Sequence, residues 1–251
     1  MKGAGTMAAS RNQEEARREQ NGVVYYDRGT LTGRDGKKYL RWAIQTHFVE
    51  VGEDKGARVE RYVRPLYQEG DLLAFGAKVM AMCEKTVRTK DQVKPGFWAK
   101  LLAPRASETV AGIGVHDPYK LQLAIDMVGA PRVVFAAIAS AVTKLFGIKG
   151  VFYKIVGKGV AGIDGFYYRS SFERYKDLAL VNPENPVELC DEIMQKTGIP
   201  VVLMDANDID QNQLGKATGF PLTDDQIQDA LKDNPSGQGG ELTPLILIRS
   251  V

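Results

Sequence analysis

Cysteine and histidine are the scarcest chemically active residues in this 251-residue chain, with two of each. Cys83 and Cys190 each lie in a segment that has the pattern of a buried helix or strand, so we expect reduced, buried thiols rather than a disulfide framework. His47 and His116 lie far apart, and neither has a histidine or cysteine neighbour at the spacing of zinc ligands. The sequence therefore predicts neither a disulfide-stabilised fold nor a zinc site.

The chain also lacks an excess of charge of one sign. Lysine and arginine total 33 against 31 acidic residues, which gives a formal net charge of +2. Such a balance creates no broad electrostatic field to attract a polyanion. We therefore expect neither nucleic acid nor a membrane among the partners.

Long apolar runs are missing as well. The longest, residues 133–143, lies between Arg132 and Lys144 and is well short of the roughly 20 residues that a spanning helix needs. Residues 1–20 are polar and have no apolar core of the kind found in signal peptides. These features predict a cytoplasmic protein.

Several catalytic motifs are absent. The sequence contains no Walker loop, no H-E-x-x-H pair and no nucleophile elbow. Nucleophilic-serine hydrolysis therefore has no support.

The composition that remains is typical of a globular protein, with 44% hydrophobic and 25% charged residues. Residues 1–22 lack apolar periodicity and are predicted to be a disordered tail, which leaves residues 23–251 as one catalytic domain. Strand and helix patterns are mixed rather than strictly alternating. The predicted fold class is therefore α+β or mixed α/β, with a mixed β-sheet flanked by helices.

Local patterns predict most of the elements. Residues 23–50 alternate around a turn at residues 33–36, which indicates antiparallel strands. Thr223 and Gln226 have the spacing of a helix-capping box. The other predicted elements are helices at 131–146 and 186–197 and strands at 151–156, 199–204 and 245–249.

A glycine-rich segment, Gly157-Lys158-Gly159-Val160-Ala161-Gly162, matches the dinucleotide-binding pattern G-x-G-x-x-G. A Rossmann site is not favoured, because the residues that follow do not resemble a helix that could hold a pyrophosphate. We predict a loop that lets the backbone of Gly157 and Gly159 approach a nucleotide phosphate while Asp164 holds a metal ion. The alternative is a tight turn with a solvated Asp164.

A second group of oxygen ligands follows the apolar strand at residues 199–204. Asp205, Asn207 and Asp208 would together suit a hard cation such as Mg²⁺ or Mn²⁺. An EF-hand is excluded, because the pattern that starts at Asp208 has Gln213 and Gly219 where glycine and glutamate are required. The alternative is a simple polar turn.

The sequence His116-Asp117-Pro118 permits two interpretations. Asp117 can cap the helix that begins at Pro118, which is the favoured interpretation, or it can form a catalytic pair with His116. His116 is accordingly a candidate substrate-binding residue.

Several motifs occur in an order found in one enzyme family. They are Gly70-Asp71 with its apolar strand and Lys78, His116-Asp117-Pro118, Gly162-Ile163-Asp164, residues 181–186, and the apolar strand that ends at Asp205. Over about residues 60–220 the series resembles the coenzyme factor-420 γ-glutamyl ligase family.

The resemblance implies a two-lobed, homodimeric ligase that uses ATP or GTP with Mg²⁺ or Mn²⁺. The triphosphate phosphorylates an acceptor carboxylate, and the amine of L-glutamate then attacks the acyl phosphate. By position, Asp164 and Asp205 would bind metal. Lys78 would lie near the nucleotide phosphates, with a structural ion pair as its alternative.

The chain departs from the family pattern after both aspartates. Gly165-Phe166 follows Asp164, and Ala206-Asn207-Asp208 follows Asp205. The acceptor is therefore either the deazaflavin coenzyme precursor or glutamate and its oligomers. Lys158, Arg169 and Arg174 are candidates for holding substrate carboxylates. Two other functions remain open, a catalytically inactive nucleotide- or metal-binding protein and a metal-dependent phosphohydrolase.

Overall fold

A computed structural model describes residues 11–106, 115–166, 173–206, 211–237 and 240–251. The chain divides into two compact units. The first unit comprises Met1–Lys85 and Pro183–Val251, and the second comprises Thr86–Asn182. The catalytic domain predicted for residues 23–251 therefore spans both units.

A seven-stranded mixed sheet forms the first unit, which confirms the predicted fold class. Its strands are β1 (Arg17–Gln20), β2 (Val23–Thr32), β3 (Lys38–Ile44), β4 (Leu72–Gly76), β8 (Val201–Ala206), β9 (Gln211–Lys216) and β10 (Leu245–Ser250). Their order across the sheet is β1-β2-β3-β10-β4-β8-β9. The pair β4 and β8 is parallel, and the other neighbours are antiparallel.

The hairpin of β1 and β2 corrects the predicted tail. Residues 17–20 pair with residues 23–26 through a two-residue turn, in which Asn21 and Gly22 have φ angles of 51° and 76°. Asn-Gly is the preferred sequence for this type of turn. The prediction of disorder is therefore wrong for β1, which lacks apolar periodicity because it is a charged edge strand. Residues 1–10 lie outside the described residues.

The first unit also contains helices, and the one at residues 186–197 has the bounds that the sequence predicts. The helices are α1 (Lys55–Tyr62), α2 (Ala77–Cys83), α8 (Pro186–Thr197) and α9 (Asp224–Leu231). Thr223 and Gln226 form both hydrogen bonds of the predicted capping box at the start of α9. Gly198 ends α8 in a left-handed conformation with φ of 70°.

The core of the first unit lies on both faces of its central strands. Residues 72–75 of β4, 201–204 of β8 and 245–248 of β10 are all buried, without the alternation of a half-exposed sheet. One face packs against α9 through Ile227, Ala230 and Leu231. Helices α2 and α8 contact β8. The central strands are therefore rigid supports for the residues at their ends.

The second unit combines a small antiparallel sheet with helices. Its strands are β5 (Val87–Thr89), β6 (Asp164–Gly165) and β7 (Leu178–Leu180), in the order β5-β7-β6. Its helices are α3 (Phe97–Leu102), α4 (Pro118–Val128), α5 (Ala130–Leu145), α6 (Val151–Val156) and α7 (Lys158–Ala161). The core of this unit includes Leu121, Ala124, Val133 and Ala136.

Two local predictions for the second unit are wrong. Residues 151–156 form helix α6 instead of a strand, and residues 158–161 form the short helix α7 instead of a loop. Phe152 and Val156, one helical turn apart, are both buried. Their packing therefore overrides the strand preference of β-branched and aromatic residues.

Among the described residues, no single helix has the length and hydropathy needed to cross a bilayer. Helices α4 and α5 pass the test of length and composition only when taken as a pair, and a bend of 120° separates them.

Candidate functional site

The C-terminal ends of three strands of the large sheet lie side by side at one end of the sheet. β10 is antiparallel to both β3 and β4, and β4 is parallel to β8, so β3, β4 and β8 all point the same way. Leu245 of β10 pairs with Ile44 and with Phe75, and Phe75 pairs with Leu203. The residues that follow these positions therefore emerge side by side, and we call this place the strand-end edge.

Lys78 and Asp205 both belong to the strand-end edge. Gly76 of β4 pairs with Met204 of β8. Lys78 is two residues beyond Gly76, in the first turn of α2, and is exposed. Asp205 immediately follows Met204 and pairs with Asn212 of β9, half-buried. The buried strand predicted at residues 199–204 is confirmed, although it comprises Val201–Ala206 and therefore includes Asp205 itself.

Close packing fixes the backbone ahead of Lys78. The Gly76 N–H donates to the carbonyl oxygen of Pro244 at 2.9 Å. A Cβ atom on Gly76 would lie 3.2 Å from that same oxygen, so a larger residue would require Pro244 to shift by a few tenths of an ångström. The start of α2, and with it Lys78, is therefore held against the sheet.

His47 is a residue that sequence reasoning missed, since it was considered only as a zinc ligand. It follows β3 at the strand-end edge, with its Nδ1 2.6 Å from the Tyr62 hydroxyl and its Nε2 3.0 Å from Glu53 Oε2. Beside it, the buried Arg58 donates to Glu53 at 2.6 Å and to Thr46 Oγ1 at 2.7 Å. The only sequence feature that indicates this network is weak: Arg58 and Tyr62 are four residues apart, so they lie on the same side of helix α1.

Charge within this network is balanced. Burial opposes ionisation of Glu53, but the N–H of Glu50 and the guanidinium of Arg58 outweigh it and hold the pKa of Glu53 below its ordinary value. The carboxylate is therefore ionised at neutral pH and compensates the buried Arg58. Such a network positions the segment between β3 and α1 firmly at the strand-end edge.

Asp164 lies in the second unit, in strand β6. It pairs with Leu180 of β7 and is half-buried. Two glycines beside it are closely packed. A Cβ atom on Gly162 would lie 2.4 Å from Asn182 Nδ2, and one on Gly165 would lie 2.5 Å from Ala179 Cβ. The glycines therefore allow β6 to approach β7 and present Asp164.

The glycines proposed to approach a phosphate have other local roles. Gly157 ends α6 with φ of 95°, and its N–H donates to the Tyr153 carbonyl at 2.9 Å. Gly159 lies inside α7, where an added Cβ atom would meet Met127 Cε at 3.3 Å. Lys158 is the first residue of α7.

Asp117 caps helix α4, as the favoured interpretation predicted. Its Oδ1 accepts hydrogen bonds from the N–H groups of Tyr119 and Lys120 at 2.8 and 2.9 Å. His116 precedes it with a buried Nδ1 that has no hydrogen-bond partner in the described part of the chain. Capping of α4 is therefore the structural role of the Asp117 carboxylate.

The candidate residues divide between the units. Lys78 and Asp205 belong to the first, whereas His116, Asp164 and the glycine segment with Lys158 belong to the second. Arg174 lies in a short 3-10 helix, Glu173–Asp177, of the second unit. Asn207, Asp208 and Arg169 fall outside the described residues.

Available ligands at these positions are oxygen donors. Within the ranges that the structure describes, no group of three or more histidine, cysteine or acidic residues could hold a metal ion. The carboxylates of Asp164 and Asp205 are hard ligands, which suit Mg²⁺ or Mn²⁺ better than a thiolate-seeking metal. The donor chemistry therefore fits the predicted metals.

The cysteines are confirmed as free, buried thiols. Burial raises the pKa of Cys83 and of Cys190 to about 12 in each case. Neither thiol is therefore an available nucleophile at neutral pH.

No protein-family model matches the chain, and its sequence matches no curated protein. The features of the chain that indicate a function are the order of its motifs and the strand-end edge.

Proposed function

We propose that the chain is a nucleotide-dependent ligase that joins L-glutamate to a carboxylate acceptor, as a divergent relative of the coenzyme factor-420 γ-glutamyl ligases. The observation that carries the proposal is the parallel pairing of β4 with β8, which brings Lys78 and Asp205 to one sheet edge. In this chain the two residues are separated by more than 100 positions of sequence, and the pairing of β4 with β8 brings them to the same edge.

The reaction proceeds in two balanced steps. An oxygen of the acceptor carboxylate attacks the terminal phosphorus of ATP or GTP, and the bond to the departing nucleoside diphosphate breaks. The amine of L-glutamate then attacks the acyl carbon, an amide bond forms, and phosphate leaves while the amine loses a proton to a base. No covalent enzyme intermediate is needed, in keeping with two buried thiols of raised pKa.

Charge stabilisation is the main task of the protein in such chemistry. The exposed ammonium of Lys78 binds phosphate oxygens in this proposal. By the resemblance, Asp164 is one metal ligand, and Asp205 with Asn207 and Asp208 supplies others. Mg²⁺ or Mn²⁺, when bound, would neutralise phosphate charge. Gly157 and Gly159 contribute nucleotide contacts, and Lys158, Arg169 and His116 bind substrate.

The acceptor is either glutamate, extended into an oligoglutamate, or the deazaflavin coenzyme precursor. The proposal also includes a two-lobed catalytic domain and a homodimer, as in the family that the sequence resembles. Consumption of a nucleoside triphosphate favours the cytoplasm as the site of action.

The first experiment measures phosphate release by the full chain with ATP or GTP, Mg²⁺ or Mn²⁺, and L-glutamate, and determines product masses. We expect phosphate release that requires glutamate and products that grow by glutamyl units. If glutamate alone gives none, the deazaflavin precursor is supplied as the acceptor. Asp205→Asn and Lys78→Ala should each reduce the rate by at least about a hundredfold, as is common for groups that stabilise transition-state charge.

Matched controls are Glu19→Gln on the exposed edge strand β1 and Lys38→Ala at the opposite end of β3. Both should retain full activity. Phosphate release that needs no amine would identify a phosphohydrolase. Nucleotide binding without turnover, with either acceptor, would identify an inactive binding protein.

A further inference from the structure

Helix α5 of the second unit is apolar on two opposite sides. One side packs Val133 and Ala136 into the core. The other carries four exposed apolar residues, which repeat at the three- and four-residue spacing of one helix face. They are Phe135 at 63% exposure, Ile138 at 58%, Val142 at 50% and Leu145 at 84%.

The same apolar surface continues past the end of the helix. Phe146 is 77% exposed and Ile148 is 52% exposed. Cβ atoms added at Gly147 and Gly150 would meet no atom within 4 Å, so this turn projects into open space. We call these six apolar side chains, from Phe135 to Ile148, the α5 face. A monomeric protein rarely leaves so many neighbouring apolar side chains in water without a function for them.

The segment that carries the α5 face has only basic charges. Residues 127–163 contain five basic residues and no acidic residue. The five are Arg132, Lys144, Lys149, Lys154 and Lys158. Because the chain has 33 basic and 31 acidic residues, its remainder holds 28 basic against 31 acidic residues. The net charge of the whole chain is close to zero, and we therefore expected no membrane partner. That net charge does not show that basic residues are concentrated in residues 127–163.

From this combination we infer that the α5 face binds the surface of an anionic lipid bilayer, with α5 lying in the plane of the interface. Exposed phenylalanine and leucine side chains enter the boundary between headgroups and acyl chains, while flanking lysines meet lipid phosphates. Arg132 and Lys144, near the two ends of α5, are both exposed. The inference is independent of the proposed ligase activity.

A second copy of the chain would bind the α5 face less well than an anionic bilayer would. If two α5 helices paired in antiparallel fashion, Arg132 of one would lie near Lys144 of the other. A parallel pair would bring the two Lys144 residues together. Either arrangement places like charges side by side. A groove in a partner protein would have to match the projecting turn in shape, whereas fluid acyl chains accommodate it without a fixed complementary surface.

The test is co-sedimentation of the full chain with vesicles of phosphatidylcholine alone or mixed with phosphatidylglycerol. We expect binding to the mixed vesicles that weakens as salt is added. The double variant Leu145→Ser/Phe146→Ser should lower partitioning by at least about tenfold, because it removes the two most exposed apolar groups. Lys144→Gln/Lys149→Gln should lower binding to the mixed vesicles specifically.

The control is Val51→Ser/Val187→Ser, which removes two exposed apolar residues of the first unit, at 52% and 48% exposure. It should bind as the wild type does, and thermal melting checks that every variant remains folded. Absence of wild-type binding to the mixed vesicles would overturn the inference, as would equal binding by the Leu145/Phe146 variant. If that variant instead turns a dimer into a monomer by light scattering and vesicle binding is absent, the occupant is a second copy.

Discussion

Arg249 donates two nearly parallel hydrogen bonds to the buried carboxylate of Asp71, with Nε–Oδ1 at 2.6 Å and Nη2–Oδ2 at 2.7 Å. The bond to Asp71 raises the pKa of Arg249 above its ordinary value, and the guanidinium also lies 4.7 Å from the centre of the Trp42 ring. Asp71 immediately precedes β4, whereas Arg249 lies near the end of β10. The aspartate of the Gly70-Asp71 motif thus ties two central strands together.

Removing this carboxylate should destabilise the protein. Asp71→Asn leaves Arg249 without its charged partner, and we expect a loss of about 3 kcal/mol in the free energy of unfolding. Denaturant titration measures it. The matched control is Glu60→Gln, which breaks an exposed pair with Arg64, each side chain 40% exposed, and should cost at most about 0.5 kcal/mol. Equal losses in the two variants would refute a special role for Asp71.

Gly165→Ala should disrupt the small sheet of the second unit. The new methyl group would lie 2.5 Å from Ala179 Cβ and 2.7 Å from Ala179 Cα, so β6 must move away from β7. Hydrogen exchange at β6 and β7 should become faster, and the melting temperature should fall. Gly96→Ala, in the same unit, is the control, because its nearest contact is an ordinary 3.4 Å to Gln122. Unchanged exchange in Gly165→Ala would contradict this packing.

The two cysteines should be unreactive in the folded protein. Both are buried, and burial raises the pKa of each to about 12, so little thiolate exists at neutral pH. A colourimetric thiol reagent should titrate both groups only after denaturant is added. Rapid modification of either thiol under native conditions would show that its segment opens readily.

Asp54 provides a test of pH dependence. The hydrogen bond from Lys196 and that from the Ala57 N–H lower the pKa of Asp54 below its ordinary value of 3.8. A lowered pKa in the folded state stabilises the protein above the unfolded-state pKa, and this contribution is lost as the pH falls through the folded-state pKa.

Asp54→Asn is the variant to use, because asparagine can still cap α1 but cannot pair with Lys196. It should be less stable than the wild type near pH 7, and the difference should shrink as the pH falls through the folded-state pKa of Asp54. A difference that stays constant with pH would assign the effect to packing instead of charge.

Much of the first unit could be predicted because its signals are local. The apolar runs of β4 and β8, the capping box at Thr223 and the glycine after α8 each depend on a few neighbouring residues. The strand that carries Asp205 was found for the same reason. Hairpin β1–β2 had a local signal too, in Asn21-Gly22, but the charged edge strand concealed it.

Other features depend on contacts between distant parts of the chain. Helix α6 has the composition of a strand and becomes helical because Phe152 and Val156 pack into the second unit. The contacts of Arg58 with Thr46 and Glu53 require α1 to fold back over the end of β3. No periodicity reveals such contacts, and none reveals that β10 lies between β3 and β4.

That position of β10 has a consequence for biosynthesis. β10 follows every other strand that the structure describes, yet it pairs with both β3 and β4. Until the ribosome has released it, the two halves of the large sheet have no strand to join them. The second unit is one uninterrupted stretch, Thr86–Asn182, and can form its own core while translation continues. A nascent chain should therefore acquire its inserted unit first and close the surrounding sheet last, with unpaired strand edges exposed to chaperones in the interval.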